Sequence, residues 1–97
     1  MARQVARLGD RTQGVCSVHG AQGGTITTAS TNSFVNDRGV ARLGDAVTAD
    51  CGHVSAIITA SEDSKVNERG IARLADLVGG GPYTATIITA STDNLIN

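Results

Sequence analysis

Four side chains in this 97-residue sequence have the chemistry to bind a soft metal ion. The only cysteines and histidines of the chain are Cys16, His19, Cys51 and His53. Two thiolates and two imidazoles form a complete tetrahedral ligand set for Zn²⁺, with no position left for water. Gly20 and Gly52 are expected to ease the backbone turn of each ligand loop. The sequence therefore predicts one structural zinc ion, and not a catalytic metal with an open coordination position.

Two other interpretations of these residues remain open. A disulfide between Cys16 and Cys51 would suit an oxidising compartment, and buried free thiols beside unrelated histidines are also compatible with the pattern. The spacing, two residues between Cys16 and His19 and one between Cys51 and His53, matches no zinc-finger or zinc-ribbon pattern. Both pairs nevertheless occupy matching places, each cysteine six residues after an aspartate, and this favours the metal site.

The ligand pairs are set within a threefold repeat. One block reads Val-Ala-Arg-Leu-Gly-Asp, or the variant Ile-Ala-Arg-Leu-Ala-Asp, at residues 5–10, 40–45 and 71–76. A second block, ending in Thr-Ala-Ser, occupies residues 25–30, 56–61 and 86–91. Both ligand pairs lie in the segment between a first block and the second block that follows it. The third such segment, residues 77–82, contains no candidate ligand.

The composition of the repeats predicts an all-β fold. Val, Ile and Thr dominate both blocks, and no long stretch has the periodicity of an amphipathic helix. We expect a single domain over residues 1–97, with repeats at about 3–35, 36–66 and 67–97. A core of small aliphatic side chains is thin for this length, so a metal or a partner is expected to support it.

Turns and chain ends predict how the repeats connect. Two Asn-x-Arg-Gly segments, residues 36–39 and 67–70, are expected to form hairpins between repeats. Asn suits the first position of a type I turn, and Gly suits the left-handed position of a bulge after it. The chain begins and ends where a third such turn would lie, so Gln4 and Ile96 are expected to pair and close a three-part ring. An open solenoid is the alternative, but it would need distinct capping repeats.

Overall composition excludes several classes of protein. A net charge of −1 and an aromatic content of 2% argue against nucleic-acid binding. No apolar run is long enough to cross a membrane, so we expect no stable membrane insertion. Residues 1–5 lack the apolar stretch of a signal peptide, so we expect no export by the general route.

Three further sets of residues recur at equivalent places. The isoleucines are Ile26, Ile57, Ile87, Ile58 and Ile88. The arginines Arg7, Arg42 and Arg73 lie three residues before Asp10, Asp45 and Asp76. The serines are Ser30, Ser61 and Ser91. We interpret the isoleucines as core or as partner contacts. We interpret the Arg–Asp pairs as exposed ion pairs within a repeat, which contribute little, or as turn-stabilising contacts, and the serines as residues of turns or strand ends and not as nucleophiles.

The repeated blocks, with Val-Asn-x-Arg-Gly between them, resemble those of PAAR-repeat proteins from about Arg3 to Asn97. Gly39 and Val40 stand in place of the Pro and first Ala of the name-giving Pro-Ala-Ala-Arg. The resemblance implies a short pseudo-threefold β-cone with a zinc ion near its sharp tip. Carried over by position, the zinc ligands are Cys16, His19, Cys51 and His53. The family commonly uses three histidines and one cysteine, so two of each is a departure.

The resemblance also implies a function. PAAR-repeat proteins bind the blunt end of a trimeric β-helical spike in contractile injection machines, namely type VI secretion systems and phage tails. We therefore expect a non-enzymatic tip that caps and sharpens such a spike, one chain per trimer, with transient contact with the target-cell envelope. The small size is more similar to the short spike-tip proteins of T4-like phage tails than to toxin-bearing members. This implies a place in the virion, or secretion by a contractile machine. The alternative is a small zinc-stapled nucleic-acid-binding or interaction module.

Overall fold

The structure is a computed structural model that describes residues 3–91 and 95–96. Every regular element in these residues is a β-strand, as the sequence predicts. The strands are β1 (Arg3–Gln4), β2 (Arg11–Cys16), β3 (Gly20–Ile26), β4 (Phe34–Val35), β5 (Arg38–Gly39), β6 (Ala46–Ala49), β7 (Val54–Ile57), β8 (Lys65–Val66), β9 (Arg69–Gly70), β10 (Leu77–Gly79), β11 (Tyr83–Ile87) and β12 (Leu95–Ile96). The described residues contain no helix that could span a membrane.

Six strands close into an antiparallel barrel in the order β10-β11-β2-β3-β6-β7. It consists of three hairpins, β2–β3, β6–β7 and β10–β11, each formed by a segment that joins a first block to the second block after it. The barrel interior is filled mainly by aliphatic side chains, of which the largest are Ile26, Ile57, Ile87, Val47 and Val78. The other two repeated isoleucines, Ile58 and Ile88, are about half exposed, so only the first three are core residues.

Three alanines form a hydrogen-bonded ring at one end of the core. Ala6 donates its N–H to Ala72 O, Ala41 to Ala6 O and Ala72 to Ala41 O, at 2.9, 3.0 and 2.9 Å. All three are fully buried in one cluster with the barrel core. Around them, three equivalent bridges join Val5 to Arg73, Arg7 to Val40 and Ile71 to Arg42. The alanine at the second position of each first block therefore lies where three such residues meet, and this close packing favours a small side chain.

Short hairpins and paired chain ends complete the fold. β4 pairs with β5 and β8 with β9, so the predicted hairpins at the Asn-x-Arg-Gly segments are confirmed. β1 pairs with β12, with Gln4 opposite Leu95 and Arg3 opposite Ile96. The predicted pairing of the two chain ends is thus confirmed, although Asn97 itself lies outside the described residues. The ends leave no unpaired strand at this position.

The predicted turn type of the short hairpins is wrong. Each is a two-residue turn in which both central residues have positive φ, which is the type I′ pattern. The φ values are 54° at Asn36, 64° at Asp37, 53° at Asn67 and 65° at Glu68. Gly39 follows this turn and does not adopt a left-handed conformation. A Cβ there would lie 2.4 Å from the carbonyl oxygen of Ser30, and Gly70 faces Ser61 in the same way. These glycines therefore provide space for a neighbouring chain segment.

Two of the three repeated serines, Ser30 and Ser61, are turn residues, as predicted. Ser30 Oγ accepts the backbone N–H groups of Asn32 and Ser33, at 3.3 and 3.1 Å. Ser61 Oγ accepts the backbone N–H groups two and three residues later in the chain, at 3.2 and 3.0 Å. Because these two hydroxyls satisfy backbone donors of their own turns, they stabilise chain reversals. Ser91 is buried as well, and its hydroxyl donates to Asn36 Oδ1 at 2.8 Å.

The Arg–Asp pairs form as predicted, but their carboxylates are buried, which corrects the expectation of exposed pairs. Asp45 is 2% exposed and accepts from Arg42 Nε at 2.9 Å, from Arg69 at 3.2 Å and from Thr28 Oγ1 at 3.0 Å. Asp10 and Asp76 are equally buried and have equivalent arginine donors. Burial alone would raise the pKa of Asp45, but the hydrogen bonds from Arg42 and Thr28 lower it below its ordinary value.

A strained backbone position distinguishes the third repeat and gives a prediction. Gly9 and Gly44 have φ values of 86° and 87°, and Ala75 occupies the equivalent place with φ of 72°. Because a left-handed conformation costs an L-residue about 1 kcal/mol or more, Ala75→Gly is expected to raise the free energy of unfolding by about 1 kcal/mol in urea denaturation. The matched control, Gly44→Ala, is expected to lower it. An unchanged or reduced stability of Ala75→Gly would contradict this account.

Candidate metal centre

Two neighbouring barrel hairpins position the four candidate ligands. Cys16 is the last residue of β2, and His19 lies in the turn before β3. Cys51 and His53 lie in the loop between β6 and β7. β3 pairs with β6, so the two loops emerge side by side at one end of the barrel. Left-handed glycines help to form both turns, as predicted, with φ of 82° at Gly20 and 98° at Gly52.

The structure brings all four candidate ligands together. Their potential ligand atoms lie within 4.8 Å of one another. Cys16 Sγ is 3.1 Å from His53 Nδ1 and 3.6 Å from His19 Nδ1, and Cys51 Sγ is 3.5 Å from His53 Nδ1. With ordinary zinc bond lengths, a tetrahedral site has N···S edges of about 3.5 Å. These three edges lie within a few tenths of an ångström of that value, and the four side chains together could hold a four-coordinate metal ion.

Burial and charge differ between the two thiols. Cys16 is 1% exposed, whereas Cys51 is exposed. Burial opposes ionisation of Cys16, but hydrogen bonds from the backbone of Val18 and from the His19 and His53 side chains outweigh it and lower its pKa to about 6. Since metals bind the thiolate form, Cys16 is ready to coordinate at neutral pH. The imidazole rings of His19 and His53 lie 5.0 Å apart, with a 34° tilt.

A comparison with protein-family models decides the family. The PAAR motif model matches residues 19–83, more than half of the chain. The chain belongs to the PAAR-motif family. The matched range contains three of the four clustered residues, His19, Cys51 and His53, and begins just after Cys16. A search of curated proteins finds no match to this chain.

The third hairpin of this PAAR-motif chain carries a packing residue where the other two carry ligands. Tyr83 is fully buried, lies opposite Cys16 in the β11–β2 pair and shares a 2.9 Å hydrogen bond between its hydroxyl and Thr12 Oγ1. A Cβ on Gly24 would lie 2.9 Å from its ring. The sequence analysis did not select Tyr83. The sequence gives only a weak signal for Tyr83. It is the only tyrosine in the chain, and it directly follows a glycine-rich segment that contains no candidate ligand.

Proposed function

We propose that this chain is a non-enzymatic structural tip that caps and sharpens the end of a trimeric β-helical, membrane-puncturing spike of a contractile injection machine. The observation that carries the proposal is membership of the PAAR-motif family, because PAAR motifs are known from spike-tip proteins of such machines. The machine is a phage tail or a system similar to type VI secretion. The tip acts through shape and rigidity and performs no reaction.

The repeated contacts support a pseudo-threefold cone that matches a trimer. The cyclic alanine hydrogen bonds and the three equivalent bridges recur once per repeat. A trimeric β-helix ends in three equivalent sets of exposed strand edges, which a bare spike would leave free to aggregate. One chain with three similar contact surfaces covers all three at once. We therefore propose a stoichiometry of one chain per spike trimer.

The clustered cysteines and histidines support a structural role for Zn²⁺ at the narrow end. Cys16, His19, Cys51 and His53 would hold one ion with two thiolates and two imidazoles, a set that favours zinc over hard cations such as Mg²⁺ or Ca²⁺. When bound, the ion supplies a rigid cross-link between two hairpins. Binding contributes on the order of 10 kcal/mol to folding at comparable structural sites. A tip that is driven against an envelope needs such a cross-link.

The location follows from the same proposal. We place the chain in the virion, at the tip of a contractile tail spike as in T4-like phages, or among the components that a contractile machine secretes. Its contact with the target-cell envelope is transient and involves no stable membrane insertion. Nucleic acid is not a partner, since the sequence has a net charge of −1 and almost no aromatic stacking groups.

A binding experiment with a truncated spike tests the proposed function. The chain is mixed with the trimeric β-helical spike protein of the same machine, and with a variant of that spike that lacks its last β-helical turn. We expect co-elution with the intact spike and loss of co-elution with the truncated one, because the cap contacts the exposed end. Equal binding to both spikes, or binding to neither, would refute the proposal.

A further inference from the structure

We infer that Gln22 is a positioning residue for the proposed metal ligand Cys51. This inference rests on the proposed zinc site. Gln22 lies on β3 and offers no ligand of its own. Its side-chain Oε1 accepts the backbone N–H of Cys51 at 2.7 Å, across 29 residues of sequence. The hydrogen bond links the hairpin that carries Cys16 and His19 to the loop that carries the second ligand pair.

Cys51 needs such support more than Cys16 does. Cys16 is held in a strand and buried, whereas Cys51 is exposed and belongs to a loop. Three further backbone hydrogen bonds shape that loop. Asp50 N–H donates to Gly23 O at 2.9 Å, Gly52 N–H to Ala49 O at 2.8 Å, and Ala49 N–H to His53 O at 2.8 Å. The Gln22 bond fixes the backbone of the ligand residue itself. It therefore sets the direction from which the Cys51 thiolate reaches the ion.

Gln22 is itself fixed by the barrel. It pairs with Gly14 in the β2–β3 ladder, and its backbone oxygen lies 3.2 Å from Gln13 Nε2 and 3.4 Å from the buried hydroxyl of Tyr83. The ligand-free third hairpin thus contributes to the site through Tyr83. The backbone from which the acceptor for Cys51 extends is consequently held by neighbouring strands of the barrel.

Loss of this bond is expected to weaken metal binding with little effect on the metal-free fold. The N–H of Cys51 can donate to water at this exposed position, so Gln22→Ala leaves no buried donor unsatisfied. The backbone N–H of Cys51 then has no protein acceptor, so the ion must order this residue with help only from the hydrogen bonds of its neighbours in the loop. Partners that orient metal ligands typically change metal affinity by a factor of ten or more, so we expect the dissociation constant for Zn²⁺ to rise about tenfold.

The test compares three variants of the whole chain. Zn²⁺ affinity is measured by competition with a chromophoric chelator, the geometry by the visible spectrum of the Co²⁺-substituted protein, and the metal-free fold by its thermal midpoint. Gln22→Ala should raise the dissociation constant about tenfold, alter the Co²⁺ spectrum and keep the metal-free midpoint. Gln22→Glu retains an acceptor oxygen and should bind nearly as the parent does. Gln13→Ala, which also removes a contact to Gln22 but does not reach Cys51, is the matched control.

The outcomes separate this inference from the proposed metal site. Affinity of Gln22→Ala within about twofold of the parent, or an equal loss in Gln13→Ala, would overturn the assignment of Gln22 while the zinc site stands. A fall in the metal-free midpoint of Gln22→Ala without a change in the Co²⁺ spectrum would show a purely structural role and would also overturn it. If the unaltered chain binds no Zn²⁺, the proposed site itself fails, and the inference fails with it.

Discussion

Replacement of Cys16 by alanine is expected to abolish stoichiometric zinc binding and to lower the free energy of unfolding by roughly 5 kcal/mol or more. Cys16 is the buried member of the four proposed ligands, and its Sγ lies within hydrogen-bonding range of both histidines. Without it, three donors remain and the two hairpins lose their cross-link. The folding contribution of a structural zinc is on the order of 10 kcal/mol, comparable to the whole stability of a small domain.

The measurement is metal content by elemental analysis, together with urea denaturation in the presence of Zn²⁺. A strong chelator should destabilise the parent chain by a similar amount and should leave Cys16→Ala almost unaffected, because that variant has no ion to lose. Ser17→Ala changes the next, exposed residue and is the matched control. A metal-free Cys16→Ala chain as stable as the zinc-loaded parent would contradict the prediction.

Replacement of Asp45 by alanine is expected to lower the free energy of unfolding by about 3–5 kcal/mol. The carboxylate is buried and receives hydrogen bonds from Arg42, Arg69 and Thr28, so its removal leaves those donors and two guanidinium charges without their acceptor. The matched control is Asp50→Ala, which breaks an ion pair with Arg11. In this pair the side chain of Asp50 is 55% exposed and that of Arg11 is 43% exposed. Exposed pairs contribute less than about 1 kcal/mol.

Both aspartate variants are compared by urea denaturation in excess Zn²⁺, with metal content checked because Asp50 adjoins Cys51. The parent chain should also lose stability on acidification. Since the pKa of Asp45 is lowered in the folded state, its carboxylate stabilises the fold above about pH 4 and loses this effect as the pH falls further. Asp45→Ala should show a shallower acid dependence. Equal stability losses for the two variants would refute the central role of the buried pair.

Much of the fold could be predicted from local sequence. The Val, Ile and Thr content predicts strands, and the recurrence of Asn-x-Arg-Gly predicts where hairpins lie. The predicted pairing of the two terminal strands is found between β1 and β12, with Gln4 opposite Leu95 and not opposite Ile96. These features depend on residue type and repeat period, both of which are visible in the sequence itself.

Other features that depend on contacts between repeats could not be predicted. A glycine at position 39 is compatible with a β-bulge and equally with close contact between two chain segments. Only the structure, which places the carbonyl oxygen of Ser30 against Gly39, distinguishes these two explanations. The sequence suggests that Asp45 forms a surface ion pair with its neighbour in the same block. In the structure, Arg69 and Thr28 from the other two repeats also donate to its carboxylate. The pair is predicted to be exposed because the sequence does not show that side chains of other repeats cover the Asp45 carboxylate.

The four clustered side chains of the candidate site could be predicted from the sequence, but the residue that contacts the backbone of Cys51 could not. Soft donors at matching places in two repeats identify Cys16, His19, Cys51 and His53, and the structure gathers them. Gln22 reaches Cys51 across two hairpins, and glutamine on a strand carries no signal of its own. The β3–β6 pairing that brings the two ligand loops together is a contact between repeats, which the local sequence does not show.

Native mass spectrometry of the complex with a trimeric β-helical spike tests the central claim most directly. The proposal that one pseudo-threefold chain caps a threefold spike predicts a single species, with the mass of one spike trimer, one copy of this chain and one Zn²⁺. A complex that carries three copies of the chain per trimer, or the absence of any complex with the zinc-loaded chain, would contradict it.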